Sequence, residues 1–462
     1  MVFYATGLSW VINTMVNYGH LPLAVSWVIL MIMVAYLSLF IALFCLLARL
    51  LSRENPLFFF LITPVLWTSL EYFRSTYGVF AFSWLGLGYS QYSKLPLIQI
   101  AEFTGVYGVT ALIMLVNAGL FYMIHPGISQ HPGFKKLRWP IAGITLGLFV
   151  GCWSFGNYAL KQQQLSPNAS EKIKVALIQG NIEQQMKWDP AHKDEVLQRY
   201  FKLTEQAGQA SPDLIVWPEA ATPFYFGADA PRTTLLQSEL AKTGIPALIG
   251  SPFVTENKIP TQGERPTYSY FNSALYFNEE GAVAGRYDKI HLVPFGEFVP
   301  FRKILFFVEK MVVTIGDFSL GDSYDVFDVK GKKFGVNICY EIIFPDLVRR
   351  PVKEGAQFLV NITNDAWFGR SAASYQHIAI ASLRAVENRV PIVRAANTGI
   401  TGVIHADGSI HQATGLFKEE VVVDAIAPRA GHPSFYSTVG DAFAFLCIAF
   451  TFVVGFLARM RA

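Results

Sequence analysis

Charge is scarce in this chain. Asp, Glu, Lys and Arg make up 15% of its 462 residues, apolar types 52%, and the mean hydropathy is +0.34. No ordinary soluble protein needs that excess, so the composition excludes that class. Cysteine is scarcer still, with four residues, and Cys45, Cys152 and Cys447 all lie inside long apolar runs. Cys339 is therefore alone in the polar part of the chain. It has no nearby cysteine for a disulfide and no Cys/His spacing for zinc. A buried bystander and a nucleophile both remain possible. Met1 has no basic flank either: the chain enters an apolar stretch at once, without the n-region of a signal peptide.

The apolar residues gather at the two ends. Runs at about 2–18, 24–48, 57–73, 97–124, 139–160 and 438–458 approach or exceed the length that crosses hydrocarbon. They predict an N-terminal transmembrane helical domain over 1–165 and a C-terminal transmembrane helix over 436–462. Between them, 172–427 has ordinary charge density. Lys and Arg in the short loops set orientation. Arg49 and Arg53 follow the second run, Lys135, Lys136 and Arg138 precede the fifth, and Arg459 and Arg461 follow the last. All fit the cytoplasmic side, which places 172–427 outside the cytoplasm, in a bacterium the periplasm. Disulfides persist there, so one unpaired thiol gains interest. The segment 80–91, aromatic but broken by Gly and Ser, reads as a re-entrant or interfacial loop. Glu71 and Arg74 stand one helical turn apart and are expected to pair. Glu102, in the fourth run, needs a partner or a water-filled cavity.

In the polar stretch, apolar runs at 174–179, 213–219, 247–250, 333–339, 357–362, 391–395 and 401–405 predict strands. Residues 273–277 and 283–287 flank a turn and predict a hairpin. Helices are expected over about 190–210, 231–243 and 374–388, the first opened by an Asp189 cap with Pro190 at its first position. Strands covered on both sides and alternating with helices imply a layered α/β domain, two sheets packed together with outer helices.

Three reactive groups fall at strand ends: Glu219, Lys289 and Cys339. Singly, each is weak, since a Glu or Lys at such a place is usually a solvated charge. Together they suit acyl transfer. A thiol must lose its proton to attack a carbonyl. A carboxylate whose pKa is raised by partial desolvation can take that proton. An ammonium and the backbone N–H of Tyr340 can hold the oxyanion, and the product is a covalent thioester.

Four separated motifs carry a family resemblance: Trp217-Pro218-Glu219, Lys289 to Glu297, Ile338-Cys339-Tyr340-Glu341, and Asn364-Asp365-Ala366-Trp367-Phe368-Gly369. The chain resembles the nitrilase (carbon–nitrogen hydrolase) superfamily and, with its flanking spans, the membrane branch called apolipoprotein N-acyltransferase. The resemblance implies a multi-span α-helical membrane domain plus an α/β nitrilase-like αββα sandwich facing the periplasm of the bacterial inner membrane. It carries the catalytic Glu-Lys-Cys triad to Glu219, Lys289 and Cys339, and the superfamily's additional glutamate to Glu297. Trp188, Tyr340 and Glu341 fall where that branch has supporting or substrate-binding residues. The implied reaction moves an acyl chain, typically sn-1 of phosphatidylethanolamine, onto Cys339. It then passes to the α-amine of a diacylglyceryl-cysteine apolipoprotein. The implied partners are thus a phospholipid donor, that lipoprotein acceptor and the membrane, with no nucleic acid, metal or diffusible cofactor. The family has eight spans against the six read here, and the missing two would precede Met1.

Residues 301–318, apolar but interrupted by Lys303, Glu309 and Lys310, suggest an arm dipping into the membrane beside the site. A buried helix is the alternative. Asn364, Trp367, His377 and Asn397 read as pocket-shaping without a catalytic role. The same triad would also serve a membrane-tethered amidase acting on a small amide. A non-catalytic scaffold is the third reading, and the joint presence of all three reactive residues argues against it.

Overall fold

The computed structural model of the protein describes residues 1–52, 56–78, 80–124, 132–165, 172–256, 268–298 and 318–460. Two six-stranded sheets form the centre of the polar part. The first runs in the order β12-β1-β2-β3-β4-β5, from β1 (Ile173–Gln179), β2 (Leu214–Val216), β3 (Ala247–Glu256), β4 (Tyr268–Phe277), β5 (Val283–Asp288) and β12 (Glu420–Ile426). The second runs β11-β10-β9-β8-β7-β6, from β6 (Val326–Val329), β7 (Lys332–Ile338), β8 (Phe358–Thr363), β9 (Ile392–Ala396), β10 (Gly402–Ile404) and β11 (Ile410–His411).

Side chains alternate across each strand, which assigns every residue to one of three layers. In β8, Phe358, Val360 and Ile362 face the first sheet and, with Val336 and Val393 of their own sheet, pack in one core with Leu177 and Val216 of the first. Leu359 points the other way, toward the outer helices. The outer face of the first sheet (Ile178, Ile215, Trp217, Ile249) is covered by two helices, Lys193–Gly208 and Ala230–Thr243. The second sheet is covered by Pro345–Lys353 and Ala373–Asn388. β1 pairs parallel with β2 and β2 with β3; β7 pairs parallel with β8 and β8 with β9. Chain leaving the carboxyl ends of parallel strands is where such sheets place their ligands.

Among the described residues, three helices are long and apolar enough to cross a membrane: Leu23–Ser52, Val106–Ile124 and Lys135–Gln163. The 21-residue helix Pro56–Thr76 and the last helix, Ala442–Met460, pack with them. Two expected spans look different in the structure. The run 2–18 is two short helices, Val2–Gly7 and Val11–Asn17, neither able to cross hydrocarbon. Their polar side chains explain this: Asn13 and Thr14 donate to the Trp367 carbonyl at 3.1 and 2.9 Å, and Tyr18 donates to that of Ala366 at 3.0 Å. The run 97–124 is broken at Gly105, whose φ of +62° ends the four-residue helix Ala101–Thr104.

The loop expected over 80–91 is irregular, with a short 3₁₀ turn at Leu87–Gln91. Glu71 and Arg74 take other partners than each other. Glu71 accepts from Leu87 N (3.0 Å), Trp67 Nε1 (3.2 Å) and Thr110 Oγ1 (2.7 Å), while Arg74 donates to the Trp84 carbonyl at 2.9 Å. Glu102 finds its partner in Arg389 of the α/β part, at 2.7 Å. The expected arm at 301–318 lies outside the described residues, apart from Phe318.

Candidate active site

Glu219 sits in the turn that leaves β2. The turn passes so close to Gly250 of β3 that a Cβ there would lie 2.6 Å from the Glu219 Cα, so only glycine admits it. The carboxylate is buried and fully engaged. Oε1 accepts from Asn272 Nδ2 at 2.8 Å and from Lys289 Nζ at 3.3 Å, and Oε2 accepts from Asn364 N at 2.8 Å. Lys289 follows β5, is 1% exposed, and donates to Glu297 Oε1 at 2.9 Å. Glu297 is held in turn by Asn272 Nδ2 at 2.8 Å and by Val293 N at 2.8 Å. Asn272, inside β4, thus bridges the two glutamates.

Cys339 follows β7 and is 7% exposed, at the start of the 3₁₀ turn Cys339–Ile343. Its φ of +51° is unusual for a residue with a side chain and costs on the order of 1 kcal/mol or more. Glu219, Lys289 and Asp365 are the charged groups that act on its thiol. Burial pushes the thiol up, the Glu219 charge adds to that, and Lys289 opposes it only in part. The resting sulfur is therefore protonated.

Glu219 departs from expectation. Burial alone would raise its pKa, but Lys289, Asn272, Lys187 and the Cys339 thiol bring the carboxyl below its ordinary value. The resting site therefore pairs an ionised carboxylate with a neutral thiol, which is the protonation state a general base needs. Burial would lower Lys289, but the adjoining Glu297 and Glu219 carboxylates hold it firmly charged.

Glu341 is fully buried. Oε1 accepts from Ile290 N (2.7 Å) and His291 N (3.1 Å), Oε2 accepts from Ile338 N (2.7 Å), and Tyr287 donates to both oxygens. It ties the turn carrying Cys339 to the turn carrying Lys289. Tyr340 is partly buried, with its ring 5.2 Å from that of Phe344 and 6.0 Å from that of His291. Trp188 ends the short helix Gln184–Trp188; its side chain lies outside the described residues.

Sequence reasoning missed two residues here. Asn272 carries no motif and reads as one more position in a strand. Lys187, 1% exposed, donates to the Glu219 carbonyl at 3.1 Å, and burial lowers it to about 8. Its place beside Trp188 was the available signal. Asn364 and Asn397 are buried in a hydrogen-bonded network beside Glu219: Asn364 Nδ2 donates to Gln184 Oε1 at 2.8 Å, and Asn397 Nδ2 to Asn364 Oδ1 at 3.1 Å.

A sheet sandwich with this site agrees with sequence comparison. Residues 174–431 match the carbon-nitrogen hydrolase family, and residues 1–119 match the apolipoprotein N-acyltransferase N-terminal domain. An apolipoprotein N-acyltransferase of Geobacter metallireducens is 44% identical over 460 residues, covering 99% of this chain and 85% of that protein. The chain belongs to the apolipoprotein N-acyltransferase family. Another member, from Haemophilus ducreyi, is 33% identical over 461 residues, with 97% of this chain and 85% of that protein covered. Among solved structures, Saccharomyces cerevisiae Nit3, a member of branch 10 of the nitrilase superfamily, superposes with a TM-score of 0.42. It is 22% identical, covering 57% of this chain and 93% of its own.

Proposed function

We propose that this acyltransferase moves an acyl chain from a phospholipid to the N-terminal amine of an apolipoprotein through a thioester on Cys339. The observation that carries the reading is the buried thiol set against one ionised carboxylate and one buried ammonium, in a chain of this family. Glu219 takes the thiol proton as sulfur attacks the ester carbonyl carbon. The resulting oxyanion is held by the Lys289 ammonium and the Tyr340 N–H. Collapse breaks the carbon–oxygen bond, Glu219 returns the proton to the glycerol oxygen, and a lysophospholipid leaves. The donor we favour is the sn-1 chain of phosphatidylethanolamine.

In the second step, the α-amine of a diacylglyceryl-cysteine attacks the thioester. Glu219 accepts the amine's proton, the carbon–sulfur bond breaks, and the sulfur is reprotonated. An α-amine with a pKa of about 7.7–8.0 is already partly neutral at pH 7, so little further activation is required. The thioester must outlast water, and the burial of Cys339 supports that. Glu297 keeps Lys289 charged and in place, Glu341 and Tyr340 set the nucleophile turn, and Trp188 is assigned to the substrate by the family motif alone. In this reading 1–165 is the transmembrane helical domain, 172–427 the periplasmic catalytic domain and 436–462 the C-terminal transmembrane helix, all in the bacterial inner membrane. The Lys and Arg pattern of the short loops supports that orientation.

Intact-protein mass spectrometry after incubation with phosphatidylethanolamine, with and without a diacylated lipopeptide, tests the reading. A fatty-acyl adduct is expected that is absent from Cys339→Ala and moves to the lipopeptide amine. No adduct, or one lost only to water, would sink the transferase chemistry and favour a tethered hydrolase.

A further inference from the structure

Beneath the nucleophile lies a buried polar cluster that the steps above do not use. His377, Asp365 and Arg394 are each 0–1% exposed. His377 Nε2 is 3.2 Å from the Cys339 carbonyl oxygen. A carbonyl oxygen can only accept, so Nε2 carries the hydrogen. On the other side of the ring, Nδ1 is 3.0 Å from Arg394 Nη2. The same Nδ1 is 3.1 Å from Asp365 Oδ1, so the far edge of the ring is held by the Arg394–Asp365 pair. Burial and the Arg394 charge lower His377, and Asp365 and the Cys339 carbonyl oppose them in part. Arg394 is fixed by Asp365 Oδ2 at 3.0 Å, by the Ile400 carbonyl at 3.2 Å and by Asn361 Oδ1. Asp365 also accepts from Thr363 Oγ1 at 3.0 Å. The indole of Trp84 packs 5.3 Å from the imidazole, which fixes its plane.

We propose that His377 is a positioning residue for the oxyanion site, acting by pinning the peptide plane between Cys339 and Tyr340. A peptide bond is planar and trans, so its C=O and the following N–H point to opposite sides. Holding the Cys339 oxygen on His377 therefore aims the Tyr340 N–H away from it, toward the opposite face of the peptide. That N–H lies in the first turn of a 3₁₀ helix, where N–H groups lack partners within the helix. The hydrogen bond to the carbonyl also polarises the peptide and strengthens its N–H as a donor. The positive φ of Cys339 leaves this plane in need of such an anchor. Asp365 and Arg394 act one step further back, holding the opposite edge of the His377 ring.

The inference rests on the thioester reading, and one reaction separates the two. Alkylation of Cys339 by iodoacetamide displaces iodide at a saturated carbon and forms no oxyanion, whereas acylation by phospholipid does. In the full-length protein, His377→Leu should lower the acylation kcat by about 10- to 100-fold, somewhat less than loss of an oxyanion donor outright. The KM for phospholipid and the alkylation rate should stay within about twofold of wild type. His377→Gln, whose amide N–H reaches as far as Nε2, should recover most of the rate, while His377→Asn, one bond shorter, should not; this pair decides if His377→Leu does not fold. Wild-type acylation in His377→Leu, an equal fall in alkylation, or no difference between Gln and Asn would each overturn the proposal. Acyl transfer surviving in Cys339→Ala would instead overturn the thioester reading itself.

Discussion

Replacing Glu341 by Gln is a small change whose consequence can be worked out from the contacts. Glu341 offers two oxygens to three backbone N–H groups and one hydroxyl: Ile290 and His291 on Oε1, Ile338 on Oε2, and Tyr287 reaching both. The glutamine keeps one oxygen. Turned to serve Ile290 and His291, it presents an amide NH₂ to the Ile338 N–H; turned the other way, it strands two N–H groups. The first arrangement costs less and still leaves one buried donor facing another donor. An unsatisfied buried N–H costs about 1–3 kcal/mol. Taking about 2 kcal/mol, the melting temperature of a domain this size should fall by about 4–8 °C. Ile338 precedes Cys339, and Ile290 follows Lys289, so the loss also loosens both reacting groups. Acylation of Cys339 by phosphatidylethanolamine, followed by single-turnover mass spectrometry, should slow by about tenfold or more, since small misplacements of reacting atoms are expensive. Calorimetry in detergent supplies the stability. A variant that melts and acylates like wild type would refute the clamp.

The same carboxylate gives a pH dependence. Burial lifts Glu341 from 4.5 to about 7, so between those values the folded chain keeps a proton that the unfolded chain has released. Its contribution to stability is full below 4.5 and is lost as pH rises through 7, so the melting temperature should drop from pH 5 to pH 8, and by less in Glu341→Gln. Equal drops would assign the slope to other groups. Glu219→Ala and Cys339→Ala should insert, fold and form no acyl adduct; turnover in either folded variant would contradict the triad. Lys187, lowered from 10.5 to about 8 by burial, costs stability that is full below 8 and fades as pH rises toward 10.5. Lys187→Met should therefore raise the melting temperature at pH 7, with the gain shrinking toward pH 10; an unchanged gain at both values would argue that Lys187 keeps its charge and its ordinary pKa in the fold.

Local signals made much of the molecule legible. Strands such as 174–179 and 333–339, and the helix 374–388, stand in the structure within a residue or so of expectation, because long apolar runs and caps are local. The edge strand β12 went unseen: Glu420–Ile426 alternates weakly, and it is a strand because it pairs with β1 along its whole length. Trp217-Pro218-Glu219 and the Cys339 motif pointed to residues that lie in one buried site with Lys289. The sign of the Glu219 shift did not show, because its donors come from Asn272, Lys289 and Asn364, remote in sequence. Hydropathy misread residues 2–18 for a related reason. An average over the run cannot register that Asn13, Thr14 and Tyr18 fall where they meet the carbonyls of Ala366 and Trp367.

Those contacts bear on whether the catalytic part can stand alone. The outer face of its second sheet shares one core with the helical region, in which Tyr4, Leu8, Trp84, Ile98 and Tyr107 pack with Ile343, Leu347, Leu383 and Val386. Polar groups cross the same boundary. Trp10 and Trp84 both donate to Gln376 Oε1, Val106 N donates to Glu387 Oε1 at 2.8 Å, and Arg384 donates to the Tyr89 hydroxyl at 2.8 Å. Arg384 and Glu387 are wholly buried 3.0 Å apart, and removing the helices would expose their apolar surroundings to water. The loop 364–368, which supplies a donor to Glu219, would lose Asn13, Thr14 and Tyr18 together. Segment 172–431 expressed alone should therefore aggregate, or be recovered with Cys339 slow toward both phospholipid and iodoacetamide. A monomeric fragment that melts cooperatively and alkylates at the full-length rate would show that the helices only deliver substrate. The contacts argue that they also hold the site in shape, since the nucleophile turn, the loop 364–368 and the first two helices form one packed unit.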